Sequence, residues 1–501
     1  MLGPAVAVLA AAASVRAASC PDYSSFSMSP QGNASLGPLG LPFMRPAEEC
    51  RTFKSPAVEQ VIADMKAKLK NPDLARLFEN TFPNTLDTTV KYFNKEQNLA
   101  FIITGDITAQ WLRDTANQFA HYQALLPKDP ELKALVKAVI NNEARYIKQY
   151  PYCGAFQPPP ESGLSPTHND WNDGVTINPP INTNIVFECK YELDSLCGFL
   201  KLSRAYFQNT NDSSFINDDW NAAVKQIFKV IEEQSQPTFD EDFNLLSYYS
   251  WSGGNGALSP MVNNHGNNEP NAYTGMVKTH HRPSDDLATF AFLTPANAML
   301  SVELKHLADV FNKAKVQEDV ADNARALSKR ISDAVWKHTV VDNIFAYETN
   351  GFGGRYVMDD ANVPSLLSLP YLGFLDKKHP AYVATRKLLL SRGNPYYSRG
   401  KQFFGVGGPH VDAWDPWPMS LISSIYGTDN DKEITDMLET ILNNTAGLGL
   451  IHESVNIYNN HQYTRSWFAW ANSYFAEMVL DLAERKPHLI LKDSKPYRLQ
   501  D

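Results

Sequence analysis

Apolar and polar positions change period once near the start of the chain and then settle into a helical rhythm. Val58, Val61, Ile62, Met65 and Leu69 recur at helical spacing behind Ser55-Pro56, a capping residue followed by proline at the first helical position, and predict a helix. From Thr88 the period falls to two. Thr88, Val90 and Tyr92, then Leu99, Phe101 and Ile103, alternate around a polar turn at 94–97, which predicts a hairpin. Beyond Ile107 helical patterns dominate, over 107–126, 131–149, 184–208, 217–235, 285–311, 315–337, 379–391, 416–426, 431–444 and 464–485. Trp220, Val224, Ile227, Phe228 and Ile231 form one apolar stripe; Trp467, Trp470, Ala471, Tyr474, Phe475, Met478, Val479 and Leu482 form another. A second hairpin is predicted between Phe345 and Val357, turning on Asn350-Gly351.

Between alternate helices run long connections rich in Gly, Pro, Asn and aromatic residues: Tyr150 to Thr183, Thr238 to Thr279, Ser391 to Asp415 and Ala446 to Tyr463. Loops of that length in a compact protein usually carry function. No Gly/Ser linker and no abrupt shift of composition divides the chain. The simplest architecture is an all-α toroid of paired helices with small β-hairpin decorations and loops gathered over one mouth. The alternative is two helical domains divided within the Thr238 to Thr279 loop.

Composition adjusts this picture in three ways. The formal net charge is −10 and no run of Lys or Arg forms a stripe, so neither nucleic acid nor an anionic membrane is expected as a partner. The first residues, MLGPAVAVLAAAASVRAAS, are apolar and rich in alanine, although they lack a basic start, and read as a secretory signal over residues 1–18. Residues 19–501 are then expected to form one domain of a secreted, monomeric protein. Cys20 and Cys50 flank a loose Ser/Pro/Gly-rich segment and would staple it in an oxidising compartment, while Cys189 and Cys197 are placed in a helix. Sequons at Asn33, Asn211 and Asn443 fall in polar, turn-like sequence where glycosylation could occur.

The densest chemistry lies in Lys278 to Leu300, KTHHRPSDDLATFAFLTPANAML. Asp285 and Asp286 are adjacent, and two neighbouring carboxylates raise the pKa of one unless a cation compensates, which is what a general acid requires. The plainer explanation is a helix cap, with Ser284 as N-cap and both acids in the first turn. GDITAQWLRDTANQ places Trp111, Arg113, Asp114 and Gln118 around a helix start, where a tryptophan and nearby amides could bind hydroxyls. FECKYELDS carries Glu188, Glu192 and Asp194; a helical spacing would stack Glu188 on Glu192, so Glu188 is expected to face solvent, while Glu192 or Asp194 could point inward to bind sugar hydroxyls. YVMDDANVPSLLSL sets Asp359, Asp360 and Asn362 before a helix opened by Pro364. GVGGPHVDAWDPWP supplies His410, Trp414 and Trp417, and GLGLIHES supplies His452 and Glu453. There is no phosphate loop, dinucleotide fingerprint, H-E-x-x-H, CxxC or G-x-S-x-G, and His280-His281 matches no recurrent metal spacing, so no metal or cofactor is expected.

Taken together, GDITAQWLRDTANQ, HHRPSDD with TPANAM, MDDANVPSLLSLPYLG, and GLGLIHES with TRSWFAWAN resemble the motifs of glycoside hydrolase family 125, the exo-acting α-1,6-mannosidases, in their fungal form. The resemblance spans roughly Thr104 to Glu484. It implies an (α/α)6 barrel and metal-independent hydrolysis with inversion on a mannose-containing oligosaccharide. The family's general acid falls on Asp285 or Asp286, with Asp194 as an alternative outside that pair, and its general base falls on Glu453. Inversion would set the two carboxyl groups about 6.5 to 9.5 Å apart. The resemblance further assigns Arg113, Asp114, Asp360, His410 and His452 to the hydroxyls of the terminal mannose, with Trp414 or Trp417 as its stacking platform; Trp111, Asp194 and Arg282 complete the expected binding set. A mannoside-binding protein without turnover and a sugar epimerase on the same toroid are the competing functions.

Overall fold

The computed structural model describes residues 20–253, 266–315 and 317–499; the expected signal segment and part of the Thr238 to Thr279 loop lie outside them. Counting helices of seven residues or more, α1 is Pro56–Lys68, α2 Pro72–Thr81, α3 Leu112–Gln118 and α4 Pro130–Gln149. Next come α5 Leu193–Thr210, α6 Asp218–Gln234, α7 Thr294–Ala314 and α8 Glu318–Thr339. The last four are α9 Pro380–Leu389, α10 Pro418–Tyr426, α11 Asp431–Asn443 and α12 Ala469–Arg485. Ser55 caps α1 by accepting from the Val58 amide, as the cap-and-proline signature requires. The same signature recurs at Asn71-Pro72, where it opens α2, a helix the periodicity alone does not reveal.

α3, α5 and α7 pack in succession, α10 packs on α12, and α12 returns to α3. The gap between α7 and α10 is filled by turns at 359–373 instead of a sixth inner helix. Tyr371 in that segment ties the ring together: its ring meets Tyr426 of α10 at 4.9 Å and Tyr474 of α12 at 5.1 Å. Its hydroxyl donates to Glu477 of α12 at 2.9 Å and accepts from Lys201 of α5 at 2.8 Å. Outside this circuit α4 packs on α5 and α6, α8 on α7, and α11 on α10, giving the (α/α)6 toroid. The helix expected after Pro364 does not form. Ser365 and Ser368 instead accept from each other's backbone amides, a local alternative that competes with helical bonding.

Three inner helices begin later than their patterns predict, for one reason. Short strands claim the residues in front of them. Gln110–Trp111, Ala155–Phe156 and Val186–Glu188 form one small sheet, so α3 starts at Leu112 and α5 at Leu193. Phe292–Leu293 pairs with Glu348–Thr349, which pairs in turn with Arg355–Tyr356, so α7 starts at Thr294. Ser284 is therefore not its cap. Asp285 has φ +68°, a left-handed conformation that no helical first turn can hold. Cys189 likewise lies just beyond a strand rather than in a helix and is bonded to Cys153, a second disulfide beside Cys20–Cys50; Cys197 is a buried free thiol. The hairpin predicted from Thr88 forms as Val90–Asn94 against Leu99–Ile102.

The close approach of α5 to α3 depends on Gly198. A Cβ there would stand 2.8 Å from the Leu112 carbonyl oxygen and 3.1 Å from the Arg113 Cα, both backbone atoms that cannot swing aside. We expect Gly198→Ala to lower the unfolding free energy by about 1 to 3 kcal/mol, the cost typical of overpacking, measured by urea denaturation. An unchanged midpoint would refute this tight contact.

Candidate active site

The mouth of the ring is built from the N-terminal ends of its helices. Trp111 immediately precedes α3, Glu192 precedes α5, Trp417 precedes α10 and Phe468 precedes α12. Arg113, at the second position of α3, is buried, and its guanidinium reaches four carboxylates. Nη1 lies 2.6 Å from Glu192 and 3.6 Å from Asp194, Nε 3.1 Å from Asp114, and Nη2 3.6 Å from Asp285. The face of Trp470 lies 5.3 Å from the same group. Lys190 adds a second cation, 3.0 Å from Glu188. Burial pushes the carboxyls of Glu188, Glu192 and Asp114 up, Glu192 well above the usual range, and takes Asp194 to about 6 against the pull of Arg113. Asp285 goes the other way: burial would raise it, but Lys190 and Arg113 together hold it below the usual carboxylate range.

Asp285 and Asp286 occupy a tight turn closed by two backbone bonds, Asp285 N to the Arg282 carbonyl and Arg282 N to the Asp286 carbonyl. The turn sends the two carboxylates into different surroundings. The Asp285 side chain keeps 23% of its surface accessible against 7% for Asp286. Asp286 accepts from the Ser284 hydroxyl at 2.8 Å and lies 3.5 Å from His410 Nδ1. Burial would lower the His410 pKa, but the hydrogen bond and charge of Asp286 outweigh it and raise it to about 9.

On the other loop, Glu453 leads into the strand Ser454–Val455, which pairs with Tyr463–Thr464. Its amide donates to the Thr464 carbonyl at 3.2 Å, and its carboxylate is met by Arg465 Nε at 3.3 Å. Arg465 also lies 3.4 Å from Asp106, whose pKa is raised by burial. A cleft of about 350 Å³ joins the two sides. Asp285, Asp114, Arg113 and His410 line it on one count, Glu453 and Arg465 on the other, with Trp111, Trp417, Phe468 and Trp470 as aromatic wall.

Against known proteins, residues 71–480 match the family model described as metal-independent alpha-mannosidase, GH125. The chain belongs to glycoside hydrolase family 125. This α-mannosidase is 46% identical over 486 residues to the meiotically up-regulated gene 157 protein of Schizosaccharomyces pombe, covering 95% of each chain. It also superposes on a Streptococcus pneumoniae metal-independent alpha mannosidase solved in a non-productive complex with alpha-1,6-mannobiose. That match has TM-score 0.77 and 28% identity over 86% of this chain and 99% of that one.

Seven residues given a site role from the sequence line the cleft of the α-mannosidase: Trp111, Arg113, Asp114, Asp285, His410, Trp417 and Glu453. The others do not. Asp286 is turned toward Ser284 and His410, and Asp194 is wholly buried beside Arg113. Arg282 is bound to Glu348 at 2.6 Å between the rings of Tyr347 and Tyr356, so it fastens the turn from behind. Asp360 accepts from the amide and side chain of Asn362, and it is Asn362 that reaches the cleft. His452 is stacked on Tyr463 with both ring nitrogens against backbone carbonyls, a core position. Trp414 is 63% exposed, and the ring at the cleft is Trp417. Glu188, expected in solvent, is buried, because the sheet and the Cys153–Cys189 bond draw its strand inward.

The sequence patterns mark Glu192 as able to point inward and Arg465 as part of the run that fixes Glu453, but give Lys190 no place in the α-mannosidase site. Glu192 carried a signal: it stands immediately before an apolar helical run, where a carboxylate faces the helix start. Arg465 carried another, a lone cation just ahead of the aromatic run Trp467 to Trp470 that follows the Glu453 loop. Because the His410 pKa is raised, the stability from its pair with Asp286 is complete below the ordinary value of 6.5 and is lost as pH rises through about 9. We expect Asp286→Asn to bring the His410 midpoint from about 9 back toward 6.5 in an NMR titration of the imidazole. A midpoint that stays put would show that Asp286 does not set it.

Proposed function

We propose that this α-mannosidase releases terminal α-1,6-linked mannose one unit at a time, by single displacement with inversion, using Asp285 as general acid and Glu453 as general base. The observation that carries the reading is the pair of carboxylates supplied to one small cleft by two separate loops, each in a different charged setting. Asp285 is preferred to Asp286 and Asp194 because it alone of the three lines the cleft. The α-1,6 linkage is supported by the mannobiose complex of the pneumococcal relative.

In the reaction the Asp285 carboxyl gives its proton to the glycosidic oxygen as the bond to the anomeric carbon breaks. Glu453 takes a proton from the water that attacks the opposite face of the oxocarbenium-like sugar. Arg465 fixes the orientation of Glu453, and Arg113 with Asp114 and His410 offers donors and acceptors to the sugar hydroxyls. Trp417 or Trp111 presents a ring for its apolar face.

We further propose entry into the secretory pathway through residues 1–18, which lie outside the described residues. Two disulfides and the exposure of Asn33, Asn211 and Asn443 support it. No described helix is long and apolar enough to cross a membrane.

Incubation with α-1,2-, α-1,3- and α-1,6-linked mannobiose, followed by proton NMR, should show rapid cleavage of the α-1,6 disaccharide alone and first release of β-mannose. Initial release of the α anomer would overturn inversion. Glu453→Gln should slow turnover by at least about 100-fold while mannoside binding persists, the scale set by loss of a general base. An unchanged rate would exclude it from that role. Treatment of the secreted protein with an amidase that removes N-linked glycans should reduce its mass, and a constant mass would rule out occupied sequons.

A further inference from the structure

We infer that Glu192 and Asp285 share one proton, and that Glu192 is the positioning residue that keeps this proton available to the Asp285 carboxyl. The inference rests on the reading of Asp285 as the general acid and supplies what that reading lacks. An acid must hold a proton when substrate arrives, yet Asp285 sits between cations that favour its ionised form.

The geometry supplies a place for the proton. Arg113 grips Glu192 Oε2 at 2.6 Å through Nη1 and approaches Asp285 Oδ1 at 3.6 Å through Nη2, so one guanidinium holds the two carboxyls side by side. The two side chains are within hydrogen-bonding reach of each other. Glu192 Oε1 and Asp285 Oδ1 are each buried, and neither accepts a hydrogen bond from any donor nearby. Two ionised carboxylates so placed would repel; one proton between them turns that repulsion into a hydrogen bond.

The charges around the pair demand such a proton. Five carboxyls face one another here: Asp114 from α3, Glu188 and Glu192 from the segment before α5, Asp194 from α5 and Asp285 from the turn before α7. Arg113 and Lys190 are the fixed cations among them, and His410 is engaged by Asp286. Burial raises Glu192 well above the usual carboxyl range while Lys190 and Arg113 hold Asp285 below it, which is consistent with a resting proton on the Glu192 side of the pair. As the glycosidic oxygen begins to accept, the proton passes from Glu192 to Asp285 and from Asp285 to the leaving oxygen. The anomeric bond breaks, the water oxygen bonds to the anomeric carbon, and Glu453 holds the water's proton. After product release Glu453 gives its proton to solvent and the pair takes one back, which restores the starting state.

The test compares two substrates, α-1,6-mannobiose, whose leaving group needs a proton, and 2,4-dinitrophenyl α-mannoside, whose leaving group does not. Asp285→Asn should lose at least about 100-fold in kcat on the disaccharide and far less on the aryl mannoside, since general acid catalysis is worth that much only to a poor leaving group. If Asp285→Asn loses both equally, Asp285 is not the acid and the underlying reading fails. Glu192→Gln should show the same selective loss. If Asp285→Asn is selective but Glu192→Gln loses both substrates equally, or neither, proton sharing alone is overturned. Should Glu192→Gln not fold, infrared spectra of the wild type and Asp285→Asn at neutral pH decide the matter. Sharing predicts that the substitution shifts a protonated carboxyl band, and a difference spectrum showing only a lost carboxylate would overturn it.

Discussion

A guanidinium removed from water must be matched by carboxylates, and Arg113 meets that demand with Asp114, Glu192, Asp194 and Asp285. Breaking a buried ion pair on one side costs several kcal/mol, roughly 3 to 5, because the remaining charge stays buried. The positions of α3, α5 and the turn before α7 are therefore not independent. Each delivers a carboxylate to the same cation, and Gly198 lets the first two helices come close enough to do so. The arrangement leaves more negative charge than the fixed cations can neutralise. That surplus is what gives the cleft carboxyls of unequal proton affinity, the condition under which one can act as acid and another as base.

The base side is held by different means. Glu453 is positioned by a two-residue strand pair and by Arg465, and the chain just beyond is clamped by aromatic packing. Tyr23 meets the ring of Trp467 at 5.0 Å, Ser27 bonds Ser466 at 2.6 Å, and the Trp467 indole donates to Thr88. The N-terminal segment stapled by Cys20–Cys50 thus bears directly on the loop that carries Arg465. The acid side is held mainly by charge, whereas the base side adds aromatic packing to the Arg465 ion pairs.

Much was legible in one dimension. The helical stripes of α6 and α12, the cap-and-proline start of α1 and both hairpins are local features, set by residues within a few positions of one another. The motif blocks also placed Arg113, Asp285, His410 and Glu453, since a crowded set of ionisable residues beside glycine or a helix start is unusual wherever it falls. Helix starts were misplaced where a distant strand claimed the preceding residues, as Glu348–Thr349 does for Phe292–Leu293. Glu188 was read as solvent-facing because the disulfide and sheet that bury it join residues more than thirty positions away.

The sequence by itself determined that the chain is helical, that its chemistry lies in the loops between alternate helices, and which acidic residues compete for the catalytic roles. Only the tertiary structure separated them by position and surroundings. It turned Asp285 into the cleft and Asp286 toward His410, buried His452 and Arg282 as supports, and set Trp417 rather than Trp414 at the cleft. Periodicity records which face of an element is apolar. It cannot record which way a tight turn points two adjacent side chains, or which charges from remote segments will meet them there, and those two facts set the proton affinities on which the chemistry depends.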